Sequence, residues 1–417
     1  MAYVPVAFTL AGMAAYTVLA GADFGAGLWT LLAFGPSGHR VRDQARHAMG
    51  PVWEANHVWL IFVLVVCWTA YPVAFGSITS TLAAPLLIAA IGIIFRGAAY
   101  ALRGVADSSR AAENLLGTSS VLTPFALGTA IGAIAVGRVP VGNAAGNLLT
   151  SWLSPAPVLV GVLAVAFSGY LAAVFLAADS LRYGEAALAD VFRRRALIAG
   201  VLSGGLALAG LLVMRGSGLN LTHGAALVLV CVSGVAGLAT LALCWLSRFG
   251  LARLTAALAV AAVVVGWAAA QAPRFLPGMT VTQAAAGSAT LVALVIAVAC
   301  GSVVLVPSLA LLFTLFLRGR LDTPEHHAAG EPPVAAAGAA TTEAAAAEPA
   351  IHPAAEAKVS PRTGVRMPLG AAAVVGLLAG TGLLVFTDAP WTHVLGVAGF
   401  LLCAVAVFAL TASPVDS

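Results

Sequence analysis

VPVAFTLAGMAAYTVLAGADFGAGLWTLLAF, residues 4–34, carries a single charged side chain, Asp23, in an otherwise apolar run. A helix rises 1.5 Å per residue and needs about 20 residues to cross the roughly 30 Å hydrocarbon core of a bilayer, so this run is long enough to span. No basic residue precedes it, and it is therefore read as a retained first span rather than a signal peptide. The chain as a whole repeats the pattern, with 61% hydrophobic and 9% charged residues and a mean hydropathy of +1.01. A water-facing surface needs nearer a quarter of its residues charged, so lipid is the expected solvent.

Further runs of spanning length lie at 52–75, 77–102, 118–137, 157–180, 195–214, 222–246, 251–271 and 288–317. With the first they predict a nine-helix core, residues 1–321. Residues 322–366, with EPPVAAAGAATTEAAAAEPA at their centre, are too poor in large apolar side chains to offset their ordering entropy and are expected to form a disordered linker. Two apolar runs, 368–387 and 390–412, then predict a terminal pair of membrane helices within 367–417. The expected class is an all-α polytopic membrane protein.

Charge gives the orientation. Sixteen of the twenty Lys and Arg residues fall in or at the edges of the loops after the first, third, fifth, seventh and ninth spans, three fall in the intervening loops, and Arg96 lies inside the third. The positive-inside rule then places the N-terminus outside and the C-terminus, after eleven spans, in the cytoplasm. The net charge of +4 forms no basic patch with interleaved aromatics, which speaks against nucleic acid as a partner. The five cysteines stand singly in apolar runs with no CxxC spacing, as small buried thiols do.

Ionisable groups inside a bilayer cost about 2.5–3.5 kcal/mol even on lenient scales, so each needs a partner or a purpose. Asp23 sits in GADFGAG, where Gly21 and Gly25 form a GxxxG that lets another helix approach closely. It is either a packing residue hydrogen-bonded to a neighbour or a working carboxylate. The second span opens GPVWEANHVW, in which Trp53, Glu54, Asn56 and His57 crowd within five residues. Glu54 and His57 are spaced i,i+3 and Trp53 and His57 i,i+4, so they share one neighbourhood. A capping or hydrogen-bonded cluster is one reading, proton transfer or a subunit contact the other. Arg96, in IIFRGAAYALRG, lies too deep for a simple loop charge. It either snorkels to the inner surface or pairs with Glu54, Asp23 or a carboxylate on another subunit. His57 has no HxxxH or ExxH companion, so no metal site is expected, and no Walker loop, GxGxxG, GxSxG or zinc motif stands in a plausible context.

Three of these stretches resemble one family. GADFGAGLW, with Gly21, Asp23, Gly25 and Gly27, is similar to the GFDLGVG-type motif of cytochrome bd oxidase subunit II. GPVWEANHVWLI resembles its W(D/E)GNxVWL motif, and IFRGAAYALR its FRxxxFxxR stretch. GVLAVAFSGYLAAVFLAAD, AQAPRFLPGMTVTQAAAGSATL and VPSLALLFTLFLRGR also look like family segments, so the resemblance covers about 1–321. It implies two four-helix bundles plus a peripheral helix, set in the bacterial cytoplasmic (inner) membrane. It also implies a heterodimer with a subunit I that holds haems b and d and oxidises quinol with oxygen, this chain itself binding no haem or metal and performing no catalysis alone. Asp23, Glu54, Asn56, His57 and Arg96 would then serve proton access or the subunit interface, and Gly21, Gly25, Gly27 and Trp53 helix packing. Ala55 and His57 depart from the Gly and the Gln or Glu common around the family's Asn, and the segment beyond Leu321 is an addition suited to an accessory subunit. Whether a structural quinone binds is left open, as is a stand-alone secondary transporter as the alternative function or a purely structural anchor subunit.

Overall fold

A computed structural model describes residues 1–34, 38–49, 53–101, 110–216, 218–317 and 375; at 46–49, 53–55, 100–101, 110–113 and several positions beyond 305 it describes the backbone and not the side chains. The side chains of Trp53 and Glu54, the 322–366 linker and the terminal pair in 367–417 thus lie outside the described residues. All of the described residues except Val375 belong to one compact unit, Met1–His326.

The first helix, α1 (Val4–Leu31), begins with Pro5, whose missing N–H costs nothing in a first turn. After it, the segment expected as a loop forms α2 (Gly38–Met49), an amphipathic helix. Val41 and Ala45, one turn apart, are fully buried while His39 and Arg40 face out. Arg42 donates to Ala33 O at 2.8 Å and Arg40 pairs with Glu185, which ties α2 to the end of α1 and to the turn after the seventh helix.

The expected spans 52–75 and 77–102 are corrected. The chain instead forms α3 (Trp53–Ala70), α4 (Pro72–Thr81) and α5 (Ala83–Ala101), with an 81° bend between α4 and α5. Pro72 disfavours helical backbone at Tyr71, so α3 ends before it. Gly76, placed at the boundary by hydropathy, lies inside α4, where a Cβ would come within 2.7 Å of Asn143 Oδ1. It makes room for a loop rather than breaking a helix. Ser77 and Ser80, on the same helix, accept the backbone N–H groups of Gly142 and Ala144 at 2.9 and 2.8 Å. Tyr71 donates to Ala2 O at 2.5 Å and sets this end of α3 beside the N-terminus.

Next come α6 (Arg110–Ala135), α7 (Pro155–Arg182), α8 (Ala186–Val213), α9 (Gly224–Trp245) and α10 (Phe249–Gln271). Helix α8 starts nine residues before its expected boundary at 195. Hydropathy stops where charges begin, but the helix continues past the apolar region with Asp190 bonded to Arg193 and Arg194 at 2.5 and 3.2 Å. Gly184 at φ +77° makes the tight α7–α8 turn, a backbone conformation that side-chain-bearing residues rarely adopt. A short hairpin, β1 (Arg274–Leu276) with β2 (Met279–Thr280), leads through α11 (Val281–Ala284) to α12 (Ser288–Leu317).

Among the described residues, seven helices are long and apolar enough to cross a membrane, and eight if α4 with α5 makes one bent span. The apolar part of α3, Asn56–Ala70, is shorter. Helices α1, α3, α5 and α6 are neighbours, as are α7 to α10, and α1 and α6 pack on α7 between them. The largest core follows these contacts, with Tyr170 to Ala177 of α7 meeting Phe192, Phe249 and Ala252.

Candidate functional site

Three faces of one stretch of α1 are committed to three different neighbours. Asp23 points to α5, Gly25 to α7 and Gly27 to α6. A Cβ on Gly25 would lie 1.8 Å from Ser168 O and 2.7 Å from the Ala172 methyl, so α1 and α7 touch backbone to backbone there. Gly21 is less tight, 3.3 Å from a Leu171 methyl. A Cβ on Gly27 would fall 2.0 Å from Ser120 Oγ and 3.1 Å from Arg96 Nη1. That glycine leaves room for the hydroxyl that completes the arginine's bonding.

Arg96 is fully enclosed, with 0% of its surface exposed, and Asp23 is 6% exposed. The guanidinium donates from Nη2 to Asp23 Oδ1 at 2.6 Å, from Nε to Oδ2 at 3.2 Å, from Nη2 to Asp23 O at 2.9 Å and from Nη1 to Ser120 Oγ at 2.5 Å. Its Cζ lies 5.0 Å from the centre of the Phe24 ring. The paired fork to a carboxylate is the geometry in which arginine is strongest, and the backbone and hydroxyl acceptors use donors that would otherwise be stranded in low dielectric. Ser120 passes the chain on by donating to Leu116 O at 2.6 Å. Of the partners the sequence left open for Arg96, the structure brings Asp23. Arg96 is enclosed by its own chain rather than extended to a surface, and the Glu54 side chain lies outside the described residues.

From α3, Asn56 donates to Leu19 O at 3.3 Å, one helical turn before Asp23. The His57 ring meets the edges of Tyr16 and Phe24, both at 6.2 Å between centres. Phe24 thus has His57 on one side and Arg96 on another. Asp23, Asn56, His57 and Arg96 are gathered in one neighbourhood across α1, α3 and α5. Trp53 and Glu54 are in the first turn of α3 by backbone.

Sequence reasoning missed Ser120 and Tyr16. A serine within a span gives no signal until a charged partner is known to face it, and the Tyr16 hydroxyl is buried with no hydrogen-bond partner among the described residues. It also missed a second pair. Arg253 at the start of α10 donates to Asp179 Oδ1 at 2.5 Å and Phe175 O at 2.7 Å near the end of α7. Among the described residues no group of three His, Cys, Asp or Glu converges as a metal site would require.

A sequence model described as cytochrome bd terminal oxidase subunit II matches residues 1–316. The chain belongs to that family. It is similar to a putative cytochrome bd menaquinol oxidase subunit II of Bacillus subtilis (strain 168), 23% identical over 190 residues, which are 45% of this chain and 55% of that protein. It is also similar to a cytochrome bd ubiquinol oxidase subunit 2 of the same organism, 29% identical over 115 residues, or 26% and 33% of the two chains. The matches thus span about half and a third of those relatives. Among solved structures it shares the fold of bd oxidase from Geobacillus thermodenitrificans, at a TM-score of 0.65 and 23% identity, covering 76% of this chain and 98% of that one. Family and apolar helices together make this subunit II an integral membrane protein.

Proposed function

We propose that this chain is the haem-free subunit II of a cytochrome bd-type terminal oxidase, bound in a heterodimer to a haem-bearing subunit I in the bacterial cytoplasmic membrane. The complex takes electrons from quinol and reduces oxygen to water, with haems b and d in subunit I. The observation that carries the reading is the family match over 1–316 together with the buried Asp23–Arg96–Ser120 cluster, which lies within the resembling motifs. In this reading the nine-helix core counts α3 and the bent α4–α5 pair as one span each, in two four-helix bundles with α12 at the periphery. The N-terminus is outside and the C-terminus inside, and the linker and terminal pair serve an accessory subunit.

The division of work follows from burial. The enclosed Arg96 holds Asp23 by three bonds, two of them to the carboxylate, and fastens α1, α5 and α6, so it shapes the surface offered to subunit I from behind. Proton access falls to the groups at the mouth of α3, Glu54, Asn56 and His57, with Asp23 at the inner end. His57 is edged by Tyr16 and Phe24, which suits relay or packing better than ligation of a haem iron.

Purification from native membranes tests the assignment. A haem spectrum and subunit identification should find haem only in preparations that contain the partner. Haem retained by this chain after separation from its partner would overturn the reading. Within the complex, Glu54→Gln should lower quinol oxidase turnover with haem content and subunit ratio intact, because the amide cannot exchange a proton. Normal turnover with normal assembly would return Glu54 to the status of a helix cap.

A further inference from the structure

Among the described residues, Arg195 is a cation without a carboxylate partner. On α8 the neighbouring Arg193 and Arg194 both bond to Asp190, at 2.5 and 3.2 Å, and Arg40 pairs with Glu185. Arg195 instead lies 4.9 Å from the centre of the Trp29 ring of α1 and 5.6 Å from that of Phe192. Trp29 is held in place by its own bond, Nε1 to Gly169 O at 2.8 Å, and Phe192 is fully buried. The guanidinium is therefore held against two aromatic rings on a half-buried residue; its Nη1 is enclosed, and none of its nitrogens has a hydrogen-bond partner among the described residues. The enclosed Nη1 cannot be met from outside, but the nitrogens that stay accessible leave a charged donor group open to an external anion.

The surroundings indicate what kind of acceptor fits. Arg195 is nine residues from the start of α8, about 14 Å along the helix, and Trp29 is two residues from the end of α1, so both sit towards one boundary of the apolar region. Beyond Arg195, Ile198 and Leu202 lie on the same face at i+3 and i+7 and are 62% and 59% exposed. An anionic head over a stacked guanidinium and an exposed apolar ridge leading away from it match the two ends of one molecule.

We propose that Arg195, braced by Trp29, holds the phosphate of an anionic phospholipid whose acyl chain runs along Ile198 and Leu202. A lone guanidinium offers too few donors to retain a free phosphate ion, whereas the apolar ridge supplies the remainder of the binding for a lipid. Placing this site in the cytoplasmic leaflet rests on the orientation proposed above, while the lipid contact itself does not.

The intact complex, purified in mild detergent, is titrated with phosphatidylglycerol or phosphatidylcholine, and bound lipids are counted by native mass spectrometry. One phosphatidylglycerol should bind more tightly to the unaltered complex than to Arg195→Gln, by about five-fold, the effect of one basic residue at an anionic surface. Arg194→Gln should bind like the unaltered complex. Arg195→Lys, which keeps the charge but loses the planar stack, should fall in between and serves as the test if Arg195→Gln fails to assemble. Equal retention in both Arg195 variants, equal binding of phosphatidylcholine, or displacement of the lipid by millimolar inorganic phosphate would each overturn the proposal. Because the readout is mass and not turnover, it stands or falls separately from the oxidase reading.

Discussion

Two arginine–aspartate pairs tie helices together among the described residues, and they differ in depth. Arg96 and Asp23 join α5 to α1 with side chains 0% and 5% exposed, whereas Arg253 and Asp179 join α10 to α7 at 25% and 16%. The bonding is alike. In each, one guanidinium nitrogen reaches both a carboxylate oxygen and a backbone carbonyl, and an aromatic ring lies 5.0 or 5.5 Å away. What differs is the recourse left to a broken pair. At the deep site a stranded charge has neither water nor a route to the surface, while at the shallow site the arginine can extend to the membrane boundary. The deep pair therefore fixes which helices meet, and the shallow pair adds to contacts already specified by packing.

Arg96→Leu is the harshest way to press that difference. It leaves Asp23 buried against an apolar group and should cost about 3–5 kcal/mol, seen as a large fall in the thermal midpoint of the purified complex or as failure to accumulate. Adding Asp23→Asn to it should recover part of the loss, as coupled neighbours do. If the double variant is no better than the single, Asp23 is not the partner that matters.

Gly25→Ala attacks the same region sterically. With its Cβ aimed 1.8 Å from Ser168 O, α1 and α7 must separate, at about 2–3 kcal/mol. Gly21→Ala, facing a movable Leu171 methyl at 3.3 Å, should cost clearly less in the same melting experiment. Equal effects would mean that the two helices are not in close register at Gly25.

Arg253→Gln should cost no more than about 1 kcal/mol, with the loss shrinking further in high salt because the site is reachable by ions. A loss as large as that of Arg96→Leu would erase the distinction between the pairs. At the weak end, Arg194→Gln removes an exposed i,i+4 pair with Asp190 and should shift stability by less than about 0.5 kcal/mol. Any larger shift would show that Arg194 does something other than pair across a helix surface.

The sequence alone carried the class of the protein, because hydropathy over some twenty residues is a property of composition and needs no knowledge of neighbours. The same holds for the rarity of Asp23 and Arg96, since a charge in an apolar run stands out before any fold is known. Helix ends were less legible. Residues 72–81 are as apolar as a span, yet Pro72 and the bend at Leu82 make them a separate element, and residues 38–49 are too polar to register as membrane helix although Val41 and Ala45 bury one face. Tertiary structure decided the partners. Arg96 lies 73 residues from Asp23 and 24 from Ser120, and no period in the sequence links them. Only the packing of α6 against both α1 and α5, made possible by glycines that look alike in sequence but face different helices, turns one aspartate and one arginine into an enclosed pair.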